Sequence, residues 1–252
     1  MNTSTNPAHP VIGYVHEVEG IEQPSDLTIV CGDVTYNVHT AVMCSKSDWF
    51  RAACTPYRLQ EGETAHIQIR AKDSSVSDGD YPAHIKAIID FLYGTAGWAD
   101  VEPKSQRLQY LVGLFVTADK YLLPKMMEGI VRQFSGDLSA ITSPTPNEDI
   151  PKLFDLVYSE CPPEGPRSVG SLRYTLVYWV VMDRDDLLNA PGISAVVEKH
   201  HDLARDLFYR MRHELCMRYG EYRHALKLNR EIEQLIARGD MEIRGRSSRG
   251  ER

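Results

Sequence analysis

Three sets of residues in this chain carry side chains capable of chemistry: Asp33, His39 and Ser45; His200 and His201; and the five cysteines Cys31, Cys44, Cys54, Cys161 and Cys216. An acid, an imidazole and a hydroxyl can relay a proton to make a nucleophile, but the relay also needs an oxyanion hole. Asp33 falls on a predicted turn and His39 and Ser45 on a short helix, with no signal for such a hole. Adjacent histidines on a helix point in different directions, so His200 and His201 read as solvated side chains rather than a metal pair. The cysteines are odd in number, scattered, and include no C-x-x-C pair, which predicts reduced thiols and neither a disulfide framework nor a zinc cage. G-x-x-x-x-G-K, G-x-G-x-x-G, H-E-x-x-H and G-x-S-x-G are all absent from the sequence. The expectation is a non-enzymatic protein with no catalytic, cofactor or metal site.

The whole-chain balance narrows the classes further. With 42% apolar and 25% charged residues over 252 positions, a packed core is expected. A net charge of −7 argues against a phosphate-binding surface covering the whole protein and leaves room for a local basic patch. The Arg-rich stretch 244–252 is interrupted by Glu251 and has no aromatic residue to stack on bases, so it reads as an inert tail and direct nucleic-acid binding is not expected. The longest strongly apolar run, residues 176–182, is far short of the ~20 needed to span a bilayer. No secretory signal is visible at the start. An intracellular protein of nucleus or cytoplasm, off the membrane, is the expectation.

The elements that would position these residues follow from periodicity. Leu27, Ile29 and Cys31 alternate with Thr28 and Val30, Gly32-Asp33 supplies a turn, and Val34, Tyr36 and Val38 alternate again, which predicts a hairpin. A short helix over 39–45 and a second one capped by Ser47 or Asp48 carry Trp49, Phe50, Ala52 and Ala53. A third strand fits Ala65, Ile67 and Ile69, and residues 72–80 read as a polar loop. Pro82 opens a helix whose Ile85, Ile88, Ile89 and Leu92 make a buried stripe ended by Gly94. Helical stripes continue at Leu108, Leu111, Val112, Phe115 and Ala118, then at Met126, Ile130 and Phe134 after Pro124. Beyond the Ser/Thr/Pro-rich stretch 139–149 every period is helical, including one stripe of Leu203, Leu207, Phe208, Met211 and Leu215 and a looser one of Tyr222, Leu226, Ile232, Leu235 and Ile236.

Five of these segments resemble a known family. Ser25-Asp26-Leu27-Thr28-Ile29-Val30, His39-Thr40-Ala41-Val42-Met43, Lys46-Ser47-Asp48-Trp49-Phe50, Ile88-Ile89-Asp90-Phe91-Leu92-Tyr93-Gly94 and Ala118-Asp119-Lys120-Tyr121 are similar, in order, to the signatures of BTB/POZ domains, the fourth lacking the family's Thr before Gly. The remainder resembles the helical tails of short fungal BTB proteins. The resemblance implies an α/β (α+β) fold, a small sheet with surrounding helices, followed by an all-helical extension. The expected division is a flexible arm over 1–24 with room for one added strand, the BTB/POZ domain over 25–135, a linker over 136–150, the helical extension over 151–238 and a disordered basic tail over 239–252.

The resemblance also implies a function. Such domains present surfaces to other proteins, so the expectation is oligomerisation and partner recruitment, as a homodimer or with another BTB protein. Family dimerisation through the first helices maps onto His39, Thr40, Met43, Trp49 and Phe50, for which the alternative, open for Trp49 and Phe50, is plain core packing. Asp26 and Lys46 resemble a buried acid and its basic partner, tolerable when paired. Leu59-Gln60-Glu61 occupies the place of the hydrophobic-x-Glu motif of adaptors for cullin-based ubiquitin ligases, making Leu59 and Glu61 the cullin-contact candidates. A substrate adaptor of such a ligase, and a transcriptional regulator acting through partners, are the alternative functions.

Overall fold

The computed structural model describes residues 10–18, 21–55, 65–72, 79–95, 104–141, 149–161, 171–189, 192–221, 223 and 227. Alternation builds the sheet. In β4 (Leu27–Cys31) the side chains of Leu27, Ile29 and Cys31 are buried while Thr28 and Val30 are half-covered, and β5 (Val34–Val38) buries Tyr36 and Val38. The two pair antiparallel with Cys31 opposite Val34, leaving Gly32 and Asp33 as a two-residue turn. Gly32 takes φ +58 at the first turn position, which glycine tolerates without strain. β6 (His66–Ile69) lies parallel to β4 and turns Ile67 and Ile69 inward.

Regular structure begins upstream of the expected boundary at Ser25. β1 (Val11–Gly13) adds a parallel strand to the free edge of β5, and β2 (Glu17–Val18) pairs with β3 (Ile21–Glu22) in a small ribbon. The four-stranded order is β1-β5-β4-β6. Three β-branched or glycine residues are too few to display a two-residue period, which is why the sequence marks this segment only as an arm with room for a strand.

Helices cover the sheet. α1 (Thr40–Lys46) and α2 (Asp48–Ala53) follow β5, the second capped by Ser47, whose Oγ accepts from the Phe50 N–H at 3.2 Å. α3 (Pro82–Leu92) starts on proline and buries Ile85, Ile88, Ile89 and Leu92; Tyr36 reaches from β5 to donate to the Pro82 carbonyl at 2.9 Å. α4 (Lys104–Lys120) and α5 (Pro124–Ser139) pack together, clamped by a buried bidentate pair in which Arg107 donates to both oxygens of Asp137 at 2.7 and 2.5 Å. α5 runs past residue 135, because Asp137 and Leu138 are both buried in its last turn.

α6 (Asp149–Glu160) packs on α4, and α7 (Leu172–Asp183) packs on α5 and α6. α8 (Ile193–Lys199) closes against α6. By contacts the chain forms one compact unit over 1–200 and a second over 201–252. In the second, residues 201–221 are helical. Leu203 and Leu207 of that helix are buried, whereas Phe208, Met211 and Leu215, expected on the same stripe, are 62%, 45% and 67% exposed. At about 100° per residue, Leu207 and Met211 are about 40° apart, as Leu203 and Leu207 are, so the stripe is continuous, covered at Leu203 and Leu207 and open from Phe208 onward.

Candidate interaction surface

The α1–α2 corner carries most of the residues singled out for partner contact, and its geometry divides them. His39 is buried at the start of α1. The Tyr93 hydroxyl accepts from the His39 backbone N–H at 2.9 Å and faces Nδ1 at 2.6 Å, so its own proton goes to Nδ1. Nδ1 is then the acceptor, and Nε2–H donates to the Gln23 carbonyl at 2.9 Å. Every polar atom of the ring has a partner inside the fold. Met43 and Phe50 are fully buried.

Three of the five expected interface residues, His39, Met43 and Phe50, are therefore core and offer nothing to a partner. Helices of six or seven residues have one inward face, and those side chains occupy it. Thr40 and Trp49 remain half-exposed; Trp49 stands edge-on to Phe50 and to Tyr121 at centroid distances of 4.9 and 4.6 Å.

Asp26 and Lys46 do not form the expected buried pair. Both are exposed, and each serves a helix end. Asp26 Oδ1 accepts from the Thr40 N–H at 2.7 Å, at the start of α1, and Lys46 Nζ donates to the Leu92 carbonyl at 2.9 Å, at the close of α3. A carboxylate at a helix N-terminus and an ammonium at a C-terminus each meet the favourable end of the backbone dipole, an alternative that needs no burial of charge. Ser45 Oγ donates to the Val42 carbonyl, so His39 and Ser45 are committed to separate local bonds. Leu59 and Glu61 lie outside the described residues.

A carboxylate that is buried here is Asp80, which the sequence places at the end of a polar loop. Its Oδ2 accepts from Lys120 Nζ at 2.7 Å and from the Tyr121 hydroxyl at 2.9 Å. Burial, reinforced by that carboxylate, holds the Tyr121 phenol far above its ordinary range. Ser47 Oγ donates to the Tyr121 carbonyl at 2.8 Å, tying α2 to the end of α4. The Ala-Asp-Lys-Tyr signature thus acts as a clasp on a residue forty positions upstream, a link that no local period encodes.

A second clasp fixes the N-terminal segment. Tyr14 donates to Asp90 Oδ1 at 2.7 Å while Lys86 holds Oδ2 at 2.6 Å. Tyr14 also lies 4.8 Å from the Tyr93 ring. Val15 is left 61% exposed beside α1. Val11 and Ile21 of the same segment are also exposed, a dispersed apolar surface on the chain's first strands.

Just past the end of α4, Leu122 takes φ +54 without being glycine, while the Leu123 N–H returns to the Ala118 carbonyl at 2.9 Å. This left-handed cap puts Leu123 inside and aims Pro124 and Lys125 toward the C-terminal ends of α1 and α3. Between them is a groove of about 600 Å³ floored by Phe91, Leu123 and Pro124 and rimmed by Lys46 and Lys125. A hollow of about 360 Å³ continues it past Ser45 and Lys46 to Val42, Ala41 and Val15. Glu17 and His16 also line the smaller hollow of this combined trough, while the larger groove is apolar below and cationic at its rim. It fits an extended segment that offers an apolar side chain next to a carboxylate. Leu123, Pro124 and Lys125 were legible only as the opening of a helix.

The remaining sequence candidates are dispersed. His200 Nε2 and Lys199 Nζ both meet Asp155 Oδ1, at 2.7 and 2.6 Å, and these contacts, Lys199 first, hold the Asp155 carboxyl below its usual range. Among the described residues no three His, Cys, Asp or Glu side chains converge to hold a metal, and no described helix is long and apolar enough to cross a membrane.

Residues 16–135 match the family model for the BTB/POZ domain, a stretch that takes in the β2–β3 ribbon, the α1–α2 corner, both clasps and the trough. No curated protein matches the chain. BTB/POZ domains are protein-interaction modules, and the small mixed sheet wrapped by helices is the fold expected of one. Over residues 16–135 the chain carries a BTB/POZ domain.

Proposed function

We propose that this protein is a non-enzymatic, intracellular recruiter that docks a partner protein in the trough between α1, α3 and the α4–α5 turn. The observation that carries the reading is the trough itself, an apolar floor with Lys46 and Lys125 at its rim on a domain of an interaction family. Lys46 is held in place by the Leu92 carbonyl, so its charge is pre-positioned and less entropy is lost when a carboxylate arrives. Self-association, with a second copy or another BTB protein, would use the exposed Val11, Val15 and Ile21 with half-buried Thr40 and Trp49, in place of the buried His39, Met43 and Phe50.

Ser45 is exposed and lines both hollows. Ser45→Trp fills them without touching the core. Quantitative affinity purification from the native host should recover a set of proteins with wild type that Ser45→Trp and Lys46→Glu lose. Equal recovery by all three would refute the trough as the docking site. Light scattering checks self-association: a 28.5 kDa monomer at every concentration would remove it.

A further inference from the structure

The helix over 201–221 leaves the later part of its apolar stripe exposed. Phe208, Met211, Leu215 and Tyr219 are spaced three, four and four residues apart and fall within about 80° of arc. Their exposures are 62%, 45%, 67% and 63%. Large apolar side chains scattered singly on a surface need no explanation, but four in one line on a helix do. The first part of the stripe is covered: Leu203 and Leu207 are buried, and Arg210 bonds Glu214 at 2.7 Å on the adjoining arc.

The charges beside the face select its occupant. Arg212 and Arg218 are exposed and flank it on opposite sides, and the Arg223 guanidinium lies 6.0 Å from the Tyr219 ring. Glu214 and Glu221 lie on the arc of Leu203 and Leu207, about 100–120° from the middle of the exposed face. A twin helix laid along the same face would bring arginines against arginines, which disfavours a second copy. An anionic bilayer would suit a basic amphipathic helix, but residues 1–200 hold 16 Lys/Arg against 26 Asp/Glu, and that body would be repelled from the surface. A single protein segment with an apolar stripe edged by carboxylates matches the arginines without bringing an extended anionic surface up to that body, whose field is screened within about 8 Å.

We infer that the Phe208–Met211–Leu215–Tyr219 face docks an acidic amphipathic helix of a partner protein. The inference extends the recruiting function to a second surface, and rests on that reading only for its biological use. Binding should be read on the full-length protein by fluorescence anisotropy, with a synthetic 21-residue helical peptide carrying Leu every three and four residues and Glu on both flanks. The wild type should bind it, at least tenfold more weakly in Leu215→Glu and in Arg212→Glu/Arg218→Glu, and more weakly as salt is raised. A peptide with Lys in place of Glu should not bind. Ser45→Trp should bind like wild type, which separates this face from the trough. Equal binding of the Glu and Lys peptides, indifference to Leu215→Glu, or loss in Ser45→Trp would each overturn the inference. So would Leu215-dependent co-sedimentation with phosphatidylserine vesicles, or a dimer abolished by Leu215→Glu.

Discussion

The α4–α5 turn shapes the trough, so the bond that clamps those two helices should govern both stability and docking. Arg107 and Asp137 are 8% and 5% exposed, and Asp137 Oδ1 takes a further bond from Gln133 at 3.1 Å. Removing one partner of a buried ion pair leaves a desolvated charge, which costs about 3–5 kcal/mol, whereas replacing both by apolar residues is near neutral. Arg107→Ala should therefore lose about 3–5 kcal/mol in urea denaturation, because Gln133 alone cannot compensate the Asp137 carboxylate. At about 2–4 °C per kcal/mol for a chain of this size, Tm should fall by roughly 6–20 °C. Arg107→Met/Asp137→Leu should recover most of that loss, staying within about 1 kcal/mol of wild type. Circular dichroism melts of the three proteins decide the matter. A loss below about 1 kcal/mol in the single variant, or a double variant as weak as the single, would show that the pair is not the clamp described.

Other consequences can be checked alongside it. A Cβ on Gly113 would stand 2.6 Å from His84 Cε1, with the ring held by Thr117 at 3.1 Å, so Gly113→Ala should cost about 1–3 kcal/mol by overpacking, read in the same melts. Burial pushes the His84 imidazole down from 6.5 to about 4. Below pH 6.5 the unfolded chain takes up a proton that the folded chain refuses until about 4, so this contribution is fully present above 6.5 and is lost as pH falls across that window, by about 3 kcal/mol in all. His84→Gln should flatten that slope between pH 7 and 4.5; an unchanged slope would assign it to other groups. The ligase-adaptor alternative rests on Leu59 and Glu61, and predicts that a purified cullin N-terminal domain is retained by wild type and lost by Leu59→Ala/Glu61→Ala; no retention by wild type removes it.

The elements were legible in sequence wherever one face of one element does all the burying. The alternation in Leu27, Ile29 and Cys31, the proline opening α3 and its isoleucine stripe each state their geometry locally. What could not be read is which of several available partners a polar group takes. Asp26 and Lys46 stand close to helix ends that satisfy them more cheaply than burial together would, and Asp80 finds Lys120 and Tyr121 only after the chain has folded across the sheet. Short helices hide their orientation too: α1 and α2 are too brief for a stripe to show that Met43 and Phe50 point inward. The helix over 201–221 carries the stripe its spacing predicts, but a period does not tell how far along a helix the stripe is covered: Leu203 and Leu207 are buried while Phe208, Met211 and Leu215 are exposed.

Charge placement then bears on how such a domain selects what it binds. With 16 basic against 26 acidic residues over 1–200, the body repels acidic proteins, a repulsion screened beyond the Debye length of about 8 Å and longer in reach only at low salt. Lys46 and Lys125 act inside that length, at the rim of the trough. An acidic segment must therefore reach the groove before it is favoured, so discrimination depends on fit to the Phe91, Leu123 and Pro124 floor more than on long-range steering. The association rate at the trough should rise or hold as salt is added from low concentration, while the dissociation rate increases. The arginine-flanked helix, on a segment with 12 basic against 9 acidic residues over 201–252, should show the reverse in association, slowing as salt is added. Stopped-flow traces of the two peptide classes at two ionic strengths separate these behaviours, and association that slows with salt at both surfaces would contradict the electrostatic division.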